Sequence, residues 1–372
     1  VVTVVGTRPN FVKMMPVIDA LKLAGIDQLV VHTGQHYDQK MSGDVLADLG
    51  FPDPDIHLGI GSGTHAEQTG RTMIGFESVV LRRRPEMVVV AGDVSATLAC
   101  ALAAAKLGVR VAHVESGLRS GDWSMPEEVN RVLTDRLSTL LFTHSPEAEV
   151  NLRSEGVDIE RVHHVGNSMI DSLKRLLPDA LERTMWRRVG CERHQYVLVT
   201  LHRPSNVDDG AQLQGIVTSL IQLAGQAIPI VFPIHPRTRT ALAQSGSLER
   251  LVRAGVRCSE PLGYLDFLSL EAGAGAILTD SGGVQEESTA LGVRCYTLRS
   301  NTERPVTIAL GTNTLLGDSP QAILQVRPSG LPPVPRSVPL WDGKSGTRIA
   351  AVIGEAVRPR VVGLEFDRSA VA

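Results

Sequence analysis

The chain is predicted to be an α/β protein of two halves, each a parallel sheet with helices on both faces. Three observations predict this. Short β-branched runs alternate with longer amphipathic segments along almost the whole chain, which is the pattern of strand–helix–strand units. The alternation restarts once, after GNSMIDSLKRLLPDALERT. A length of 372 residues also exceeds what one hydrophobic core ordinarily serves, so two domains are expected.

The strand candidates of the first half are VVTVV (1–5), LVVHT (29–33), MVVVAG (87–92), VRVAHV (109–114), TLLFT (139–143) and RVHHV (161–165). Helices are expected between them near 10–24, 65–83, 95–107, 126–137 and 146–155. The helix at 65 carries a capping box, with Thr64 as N-cap and Glu67 three residues on. The break between halves falls near Gly166. The second series of strands is YVLVTL (196–201), IPIVFPI (228–234), VRC (256–258), GAILT (275–279) and VRCYTL (293–298). A Pro-rich stretch, GLPPVPRSVPLWD (330–342), precedes a last helix at 346–357. The domains are therefore read as 1–166 and 167–345, with 346–372 a returning helix and tail. Two halves joined by a hinge form a natural cleft.

Hydrophobic content of 43% and charged content of 21% suit a globular protein. A net charge near −3 offers no electrostatic footprint for nucleic acid. The one basic run, RRR at 82–84, is placed at a helix end, where cations suit the dipole. Cys100, Cys191, Cys258 and Cys295 are far apart and lack metal-type spacing, so they read as core residues in a reducing compartment. No apolar run approaches the roughly 18 residues that span a bilayer, and no signal peptide is visible. The expectation is a cytoplasmic, soluble protein with no nucleic-acid or membrane partner.

Ligands of open parallel sheets bind beyond the carboxyl ends of the strands, and the conspicuous polar residues here gather there. Strand 1–5 runs into Gly6-Thr7-Arg8-Pro9, with Lys13 a turn later; strands 87–92 and 109–114 end at Asp93 and Glu115. In the second half the strand ends carry His202-Arg203, His235 and Asp280-Ser281-Gly282-Gly283. TDSGGVQEES (279–288) pairs small residues with a helix start, so its backbone N–H groups can face a phosphate. Glu286 and Glu287 would repel that phosphate unless they point aside. GIGSGT (59–64) follows no convincing strand and reads as a plain loop, and neither a Rossmann glycine fingerprint nor a Walker motif is present. No cofactor and no metal are expected.

Asp93, Glu115 and Glu127 come from two strand ends and a helix start. Each has a bland reading: Asp93 as a helix cap, Glu115 facing solvent, Glu127 and Glu128 as first-turn acids that suit the helix dipole. Together, beside a phosphate-binding half, they suggest acid–base work on a phosphorylated sugar. His57, His65, His163, His164 and His194 read as surface or satisfied histidines.

Nine blocks in chain order carry a resemblance: GTRPNFVKMMPV, TGQHYD, VAGDVSATLACALAAAKLG, AHVESGLRSGDWSMPEEVNR, VGNSMIDSL, VTLHRPSNVDD, FPIHPRTR, LTDSGGVQEES and NTERP. Together they closely resemble the non-hydrolysing UDP-N-acetylglucosamine 2-epimerases. The resemblance implies the glycosyltransferase-B architecture, two Rossmann-like domains with a central cleft and a C-terminal helix crossing back. It also implies a homodimer that converts UDP-N-acetylglucosamine to UDP-N-acetylmannosamine by expelling UDP to 2-acetamidoglucal and adding it back. Asp93, Glu115 and Glu127 then match catalytic acids, and Arg131 and His202 further catalytic positions; Glu128 is the lesser of its pair. Arg8, Lys13, His235, Phe267, Ser281, Gly282, Gly283, Glu287 and Arg304 match positions that hold the substrate. Gln35 and His36 match part of a regulatory second site in feedback-activated members, whereas Ser62-Gly63 and Pro204 stand where cationic donors are expected. A hydrolysing epimerase releasing N-acetylmannosamine, or a UDP-sugar glycosyltransferase, would use a similar fold and UDP site.

Overall fold

The computed structural model describes residues 1–34, 48–331, 334 and 336–358. The apolar runs fold into two all-parallel sheets. The first contains β1 (Val2–Val5), β2 (Leu29–His32), β3 (Ile56–His57), β4 (Met87–Ala91), β5 (Arg110–Val114), β6 (Leu140–Thr143) and β7 (Val162–His164) in the order β3-β2-β1-β4-β5-β6-β7. The second contains β8 (Val197–Thr200), β9 (Ile230–Pro233), β10 (Arg257–Ser259), β11 (Ala276–Thr279), β12 (Cys295–Thr297) and β13 (Asn313–Leu315) in the order β10-β9-β8-β11-β12-β13. Both orders reverse beside the first strand of their sheet, between β1 and β4 and between β8 and β11. Each sheet thus has a switch point where crossovers leave to opposite faces and open a crevice.

Alternate strand residues serve opposite layers, as the pleat requires. In β4, Met87, Val89 and Ala91 join the core under α1 (Arg8–Leu23). Val88 and Val90 join a separate core with α2 (His65–Arg83) and α3 (Ser95–Lys106). Both faces are covered, which is why these strands read as continuous apolar runs. The remaining helices of the first half are α4 (Pro126–Leu137) and α5 (Pro146–Ser154). In the second half α7 (Gly210–Ala224), α8 (Pro236–Gln244) and α9 (Ser247–Arg253) supply one layer. The other layer, with α10 (Tyr264–Gly273) and α11 (Gly282–Leu291), merges with the core under α1.

The two halves are joined through α6 (Ser168–Arg183), whose start is capped by the Asn167 side chain accepting from the Met169 N–H at 2.9 Å. This helix lies against α1 of the first half and α10 of the second. Ser172 Oγ donates to the Val12 carbonyl at 2.6 Å. The last helix, α12 (Ser345–Val357), returns to pack on α1. Its second residue is Gly346 because a Cβ there would lie 2.4 Å from the Pro16 carbonyl oxygen. The resulting architecture is two Rossmann-like domains of the glycosyltransferase-B kind with a C-terminal helix crossing back.

The expected strands and helices form within a residue or two of their predicted bounds. Thr64 and Glu67 make the reciprocal capping box, and the basic run ends α2, with Arg84 in the left-handed region. Two strands were not expected. β3 is two residues long, and it precedes the GIGSGT loop that was read as following none. β13 is a three-residue edge strand containing Asn313 and Thr314. Neither is long or apolar enough to announce itself. Cys100, Cys191 and Cys295 are buried, Cys258 is partly so, and all four are unbridged. Among the described residues no helix is long and apolar enough to cross a membrane.

Asp171 of α6 accepts the Gly346 N–H at 2.8 Å and so caps α12 in trans. Burial pushes its carboxyl up to about 6, the hydrogen bond to Gly346 only partly opposing the rise. The folded state therefore prefers the neutral acid, and this preference costs stability as pH rises through 6. Asp171→Asn keeps an acceptor for Gly346 and removes that cost. It is expected to raise unfolding stability at pH 7.5 by about 2–3 kcal/mol relative to the parent, about 1.4 per pH unit of displacement. The gain should shrink as pH falls from 6 and vanish below the ordinary carboxyl value of 3.8, where folded and unfolded forms are both neutral; thermal melts from pH 3 to 8 measure it.

Candidate active site

The site is built from loops at the carboxyl ends of β1, β4 and β5 on one side and of β8, β9 and β11 on the other. The β1–α1 turn is clamped by Asn10, whose Oδ1 accepts from the Thr7 N–H at 3.2 Å and whose Nδ2 donates to Ala91 at the end of β4 at 3.0 Å. One turn into α1, Lys13 ion-pairs with Glu115. Glu115 has a φ of +67°, a left-handed conformation that a non-glycine residue adopts at a cost of about 1–3 kcal/mol and that marks functional strain. Its carboxylate is turned inward rather than to solvent. Burial alone would raise its pKa, but Lys13 and Arg304 overcome that and hold it below the usual carboxylate range.

Asp93 is not a helix cap; Val94 is the N-cap of α3. Asp93 pairs instead with Arg131, whose Nε donates to Asp93 Oδ2 at 3.2 Å. On its other side Arg131 donates to Glu128 at 2.7 Å. Glu128 is buried and also accepts from the N–H groups of Ser120 and Gly121 at 3.0 and 2.9 Å. It thus pins both the loop after Glu115 and the arginine. Glu127 is exposed in the first turn of α4. The residue two before it, Met125, lies with Sδ 3.9 Å from Arg203 Nη1 of the second half, so this helix start borders the cleft.

In the second half Asp280 is fully buried. It accepts from the N–H groups of His202 and Arg203 at 3.0 and 2.9 Å and from Asn206 Nδ2 at 3.1 Å. Its Oδ1 is 3.1 Å from His202 Nδ1. Burial works to raise Asp280, but His202 and these donors hold it low and ionised. A carboxylate on Nδ1 fixes that imidazole and presents Nε2 as its outward nitrogen. His235, exposed at the start of α8, stacks near His202 with ring centroids 5.5 Å apart.

Ser281 is the N-cap of α11, and Gly282 and Gly283 are its first residues. A Cβ on Gly282 would lie 2.3 Å from Arg304 Nη1, so a glycine there lets the guanidinium reach the helix N-terminus. Helix dipole and arginine together make an anion site. The acids that threatened it do point aside. Glu287 is buried and accepts from Tyr264 Oη at 2.9 Å. Glu286 turns to Arg304 Nε at 3.1 Å and to His144 Nε2 at 2.8 Å. Phe267 of α10 is half-buried against the core.

Arg304 joins the two halves. Its Nη2 donates to Glu115 at 2.7 Å and its Nη1 to Glu303 at 2.5 Å. Glu303 in turn meets Arg299 at 2.8 Å and Arg203 at 3.5 Å. Glu115, His144 and Glu286 bring ligand-type atoms within 4.8 Å of one another, but Lys13 and Arg304 already saturate the carboxylates, so a divalent ion would have to expel two fixed cations.

Lys13, Asp93, Glu115, Arg131, His202, Ser281, Gly282 and Arg304 thus line one interface between the halves. Arg8 opens α1, and its side chain, like Gln35 and His36, falls outside the described part of the structure. Sequence reasoning named Glu286 but gave it no partner, and it missed Glu303, Arg299 and His144, and the buried His113–Asp135–Arg119 network behind the loop. His113 Nε2 meets the Gly92 carbonyl at 2.8 Å, and Asp135 accepts from the Gly117 N–H at 3.0 Å. No local signal marked them: α11 is nearly uniform in burial, and only the packing around it shows this.

The family model for UDP-N-acetylglucosamine 2-epimerase matches residues 19–354. The chain belongs to this family. It is 43% identical over 359 residues to the UDP-N-acetylglucosamine 2-epimerase of Methanocaldococcus jannaschii, covering 94% of this chain and 97% of that one. It is 39% identical over 330 residues to UDP-2,3-diacetamido-2,3-dideoxy-D-glucuronate 2-epimerase of Pseudomonas aeruginosa, covering 87% and 90%. The crystal structure of the M. jannaschii enzyme in complex with UDP-GlcNAc and UDP superposes with a TM-score of 0.88 at 41% identity, covering 95% of this chain and 99% of that one. Another structure of the same enzyme gives 0.76 at 40% identity and the same coverage.

Glu128→Gln is expected to lower unfolding stability by about 2–3 kcal/mol, the scale of lost hydrogen bonds to charged groups. Glu127→Gln should leave stability unchanged. Urea unfolding of the two variants separates the buried acid from the exposed one.

Proposed function

We propose that this protein inverts C2 of UDP-N-acetylglucosamine to give UDP-N-acetylmannosamine, without releasing the free sugar. The observation that carries the reading is the meeting of Glu115 with Arg304 at 2.7 Å. It sets the carboxylates of the first half beside the anion-binding helix start of the second. The family assignment and the similarity to an enzyme holding UDP-GlcNAc and UDP favour epimerisation over hydrolysis or glycosyl transfer. A cytoplasmic homodimer, with domains divided near Gly166, completes the proposal on the strength of the family resemblance.

C2 of the sugar adjoins no carbonyl, so simple deprotonation there is very unfavourable. Elimination avoids the free carbanion. A carboxylate takes the C2 proton, the C–H pair becomes the C1=C2 bond of 2-acetamidoglucal, and the C1–O bond breaks with its electrons leaving on the UDP β-phosphate. Re-addition delivers a proton to the opposite face of C2 while UDP returns to C1. Asp93, Glu115 and Glu127 supply the proton-transfer groups, and Arg131 holds Asp93 in place. His202, oriented by Asp280, supports the leaving diphosphate. Lys13, Arg304, Ser281, Gly282, Gly283 and Arg8 hold that diphosphate, while Glu287, His235 and Phe267 serve the nucleoside end.

Lys13 and Arg304 both pair with Glu115, and this has a mechanistic use. An incoming diphosphate competes with Glu115 for Lys13. As that cation turns to phosphate while Arg304 keeps its hold, Glu115 loses one of the partners that held its pKa down and becomes a stronger base. Activation of the base is then tied to occupancy by the correct anion.

Incubation with UDP-N-acetylglucosamine in deuterated water should yield both epimers with solvent deuterium at C2, read by proton NMR. Retention of the original C2 hydrogen at equilibrium would exclude elimination. Asp93→Asn, Glu115→Gln and Glu127→Gln should each lower turnover by about two to four decades, the range for a positioned acid or base. UDP-2,3-diacetamido-2,3-dideoxy-D-glucuronate, assayed in parallel, tests a second substrate suggested by the 39% identical relative. Turnover of that sugar alone would move the reading to it.

A further inference from the structure

The ion cluster contains two buried groups that no step of the proposed reaction uses, His144 and Glu286. His144 follows β6 in the first half; Glu286 lies in α11 of the second. Their side chains are 3% and 1% exposed and meet at 2.8 Å, too deep to touch a sugar in the cleft. The Glu286 carboxylate lies 3.1 Å from Arg304 Nε, and Arg304 Nη2 is 2.7 Å from Glu115. The chain of contacts thus leaves the first half at His144, passes through two residues of the second, and returns at Glu115.

We infer that His144 and Glu286 are positioning residues, which orient the Arg304 guanidinium and through it the Glu115 carboxylate when the halves meet. The inference rests on the reading that Glu115 acts on the sugar. A guanidinium is a planar fork whose direction is set only when its edges are engaged. Here Nη1 and Nη2 donate to Glu303 and Glu115, and the Glu286 carboxylate forms an ion pair against the Nε edge. Without the Nε partner the plane is free to tilt about the remaining contacts, and Glu115 moves with it. The ion-pair partners of Glu286 among the described residues are Arg304 and His144 alone.

The imidazole is placed for this task by its Nε2, which lies 2.8 Å from Glu286 Oε1. Glu115, Glu286 and Glu303 also face Lys13, Arg299, Arg304 and, at 3.5 Å, Arg203. The backbone of His144 is itself held, since Trp341 Nε1 donates to its carbonyl at 2.9 Å and the two rings pack edge to face. The segment leading into α12 therefore steadies the pair.

The test compares His144→Phe, which fills the space but donates nothing, His144→Gln, which returns an N–H near the Nε2 position, and Glu286→Gln. His144→Phe and Glu286→Gln are expected to lower kcat by about 10- to 100-fold, with KM for UDP-N-acetylglucosamine rising by a clearly smaller factor through the diphosphate contact of Arg304. His144→Gln should recover most of the loss. Unchanged kcat in His144→Phe, no recovery in His144→Gln, or wild-type activity that disappears on chelation and returns with zinc would overturn the inference. Denaturation of Glu115→Gln, His144→Phe and the double variant supplies a readout independent of substrate. Coupling between the two sites is expected, and strict additivity counts against the pair. If the wild type fails to epimerise UDP-N-acetylglucosamine while coupling persists, only the functional reading falls.

Discussion

A guanidinium buried between two sheets keeps its charge and is tolerated only where carboxylates surround it, and Arg304 is the group on which this arrangement turns. Its charge is held far above the ordinary arginine range by Glu286, Glu303 and Glu115, against a burial cost that works the other way. Glu115 belongs to the opposite half, so satisfying Arg304 also brings the halves together. Buried ion clusters of this kind contribute little net stability, because desolvation offsets most of the attraction. Their value lies in geometry: each member has one place where all partners are satisfied.

The scaffold behind this cluster is shaped by two switch points. Where strand order reverses beside β1 and beside β8, the loops diverge and leave backbone N–H groups uncovered. Those loops are then held from behind by buried polar groups. Asp280 gathers the turn that bears His202, Glu128 gathers the loop after Glu115, and His113 with Asp135 ties the ends of β4 and β5 to α4. Rigid support of this sort keeps reacting groups within the few tenths of an ångström that proton transfer requires. The strained backbone at Glu115 persists because Lys13, Arg304 and the adjoining hydrogen bonds together outweigh its cost.

The fold was largely legible in the sequence. Strands of a doubly covered parallel sheet are continuous β-branched runs, and helices between them carry their own caps, as Thr64 and Glu67 do for α2. β3 and β13 escaped because short edge strands bury too little to leave an apolar signature. In the site, the strand-end residues Lys13, Asp93, Glu115, His202 and Ser281 were legible because their position after an apolar run is a local property. His144, Glu286 and Glu303 were not. Nothing in a stretch such as THSPEAE or GVQEES tells a buried carboxylate from a solvated one, since that depends on what packs against it from elsewhere.

By itself the sequence determined the order of elements, the division into two α/β halves, the family, and which rim bears the polar residues. These follow from hydrophobic periodicity and local turn chemistry, which act over a few residues. Only the tertiary structure decided that Glu128 is an internal brace while Glu127 stays exposed, that Glu286 turns aside to meet His144, and that Arg304 closes on Glu115. Those choices are set by desolvation and by charge pairing between segments up to 189 positions apart. Such forces exist only once the chain has brought the segments together.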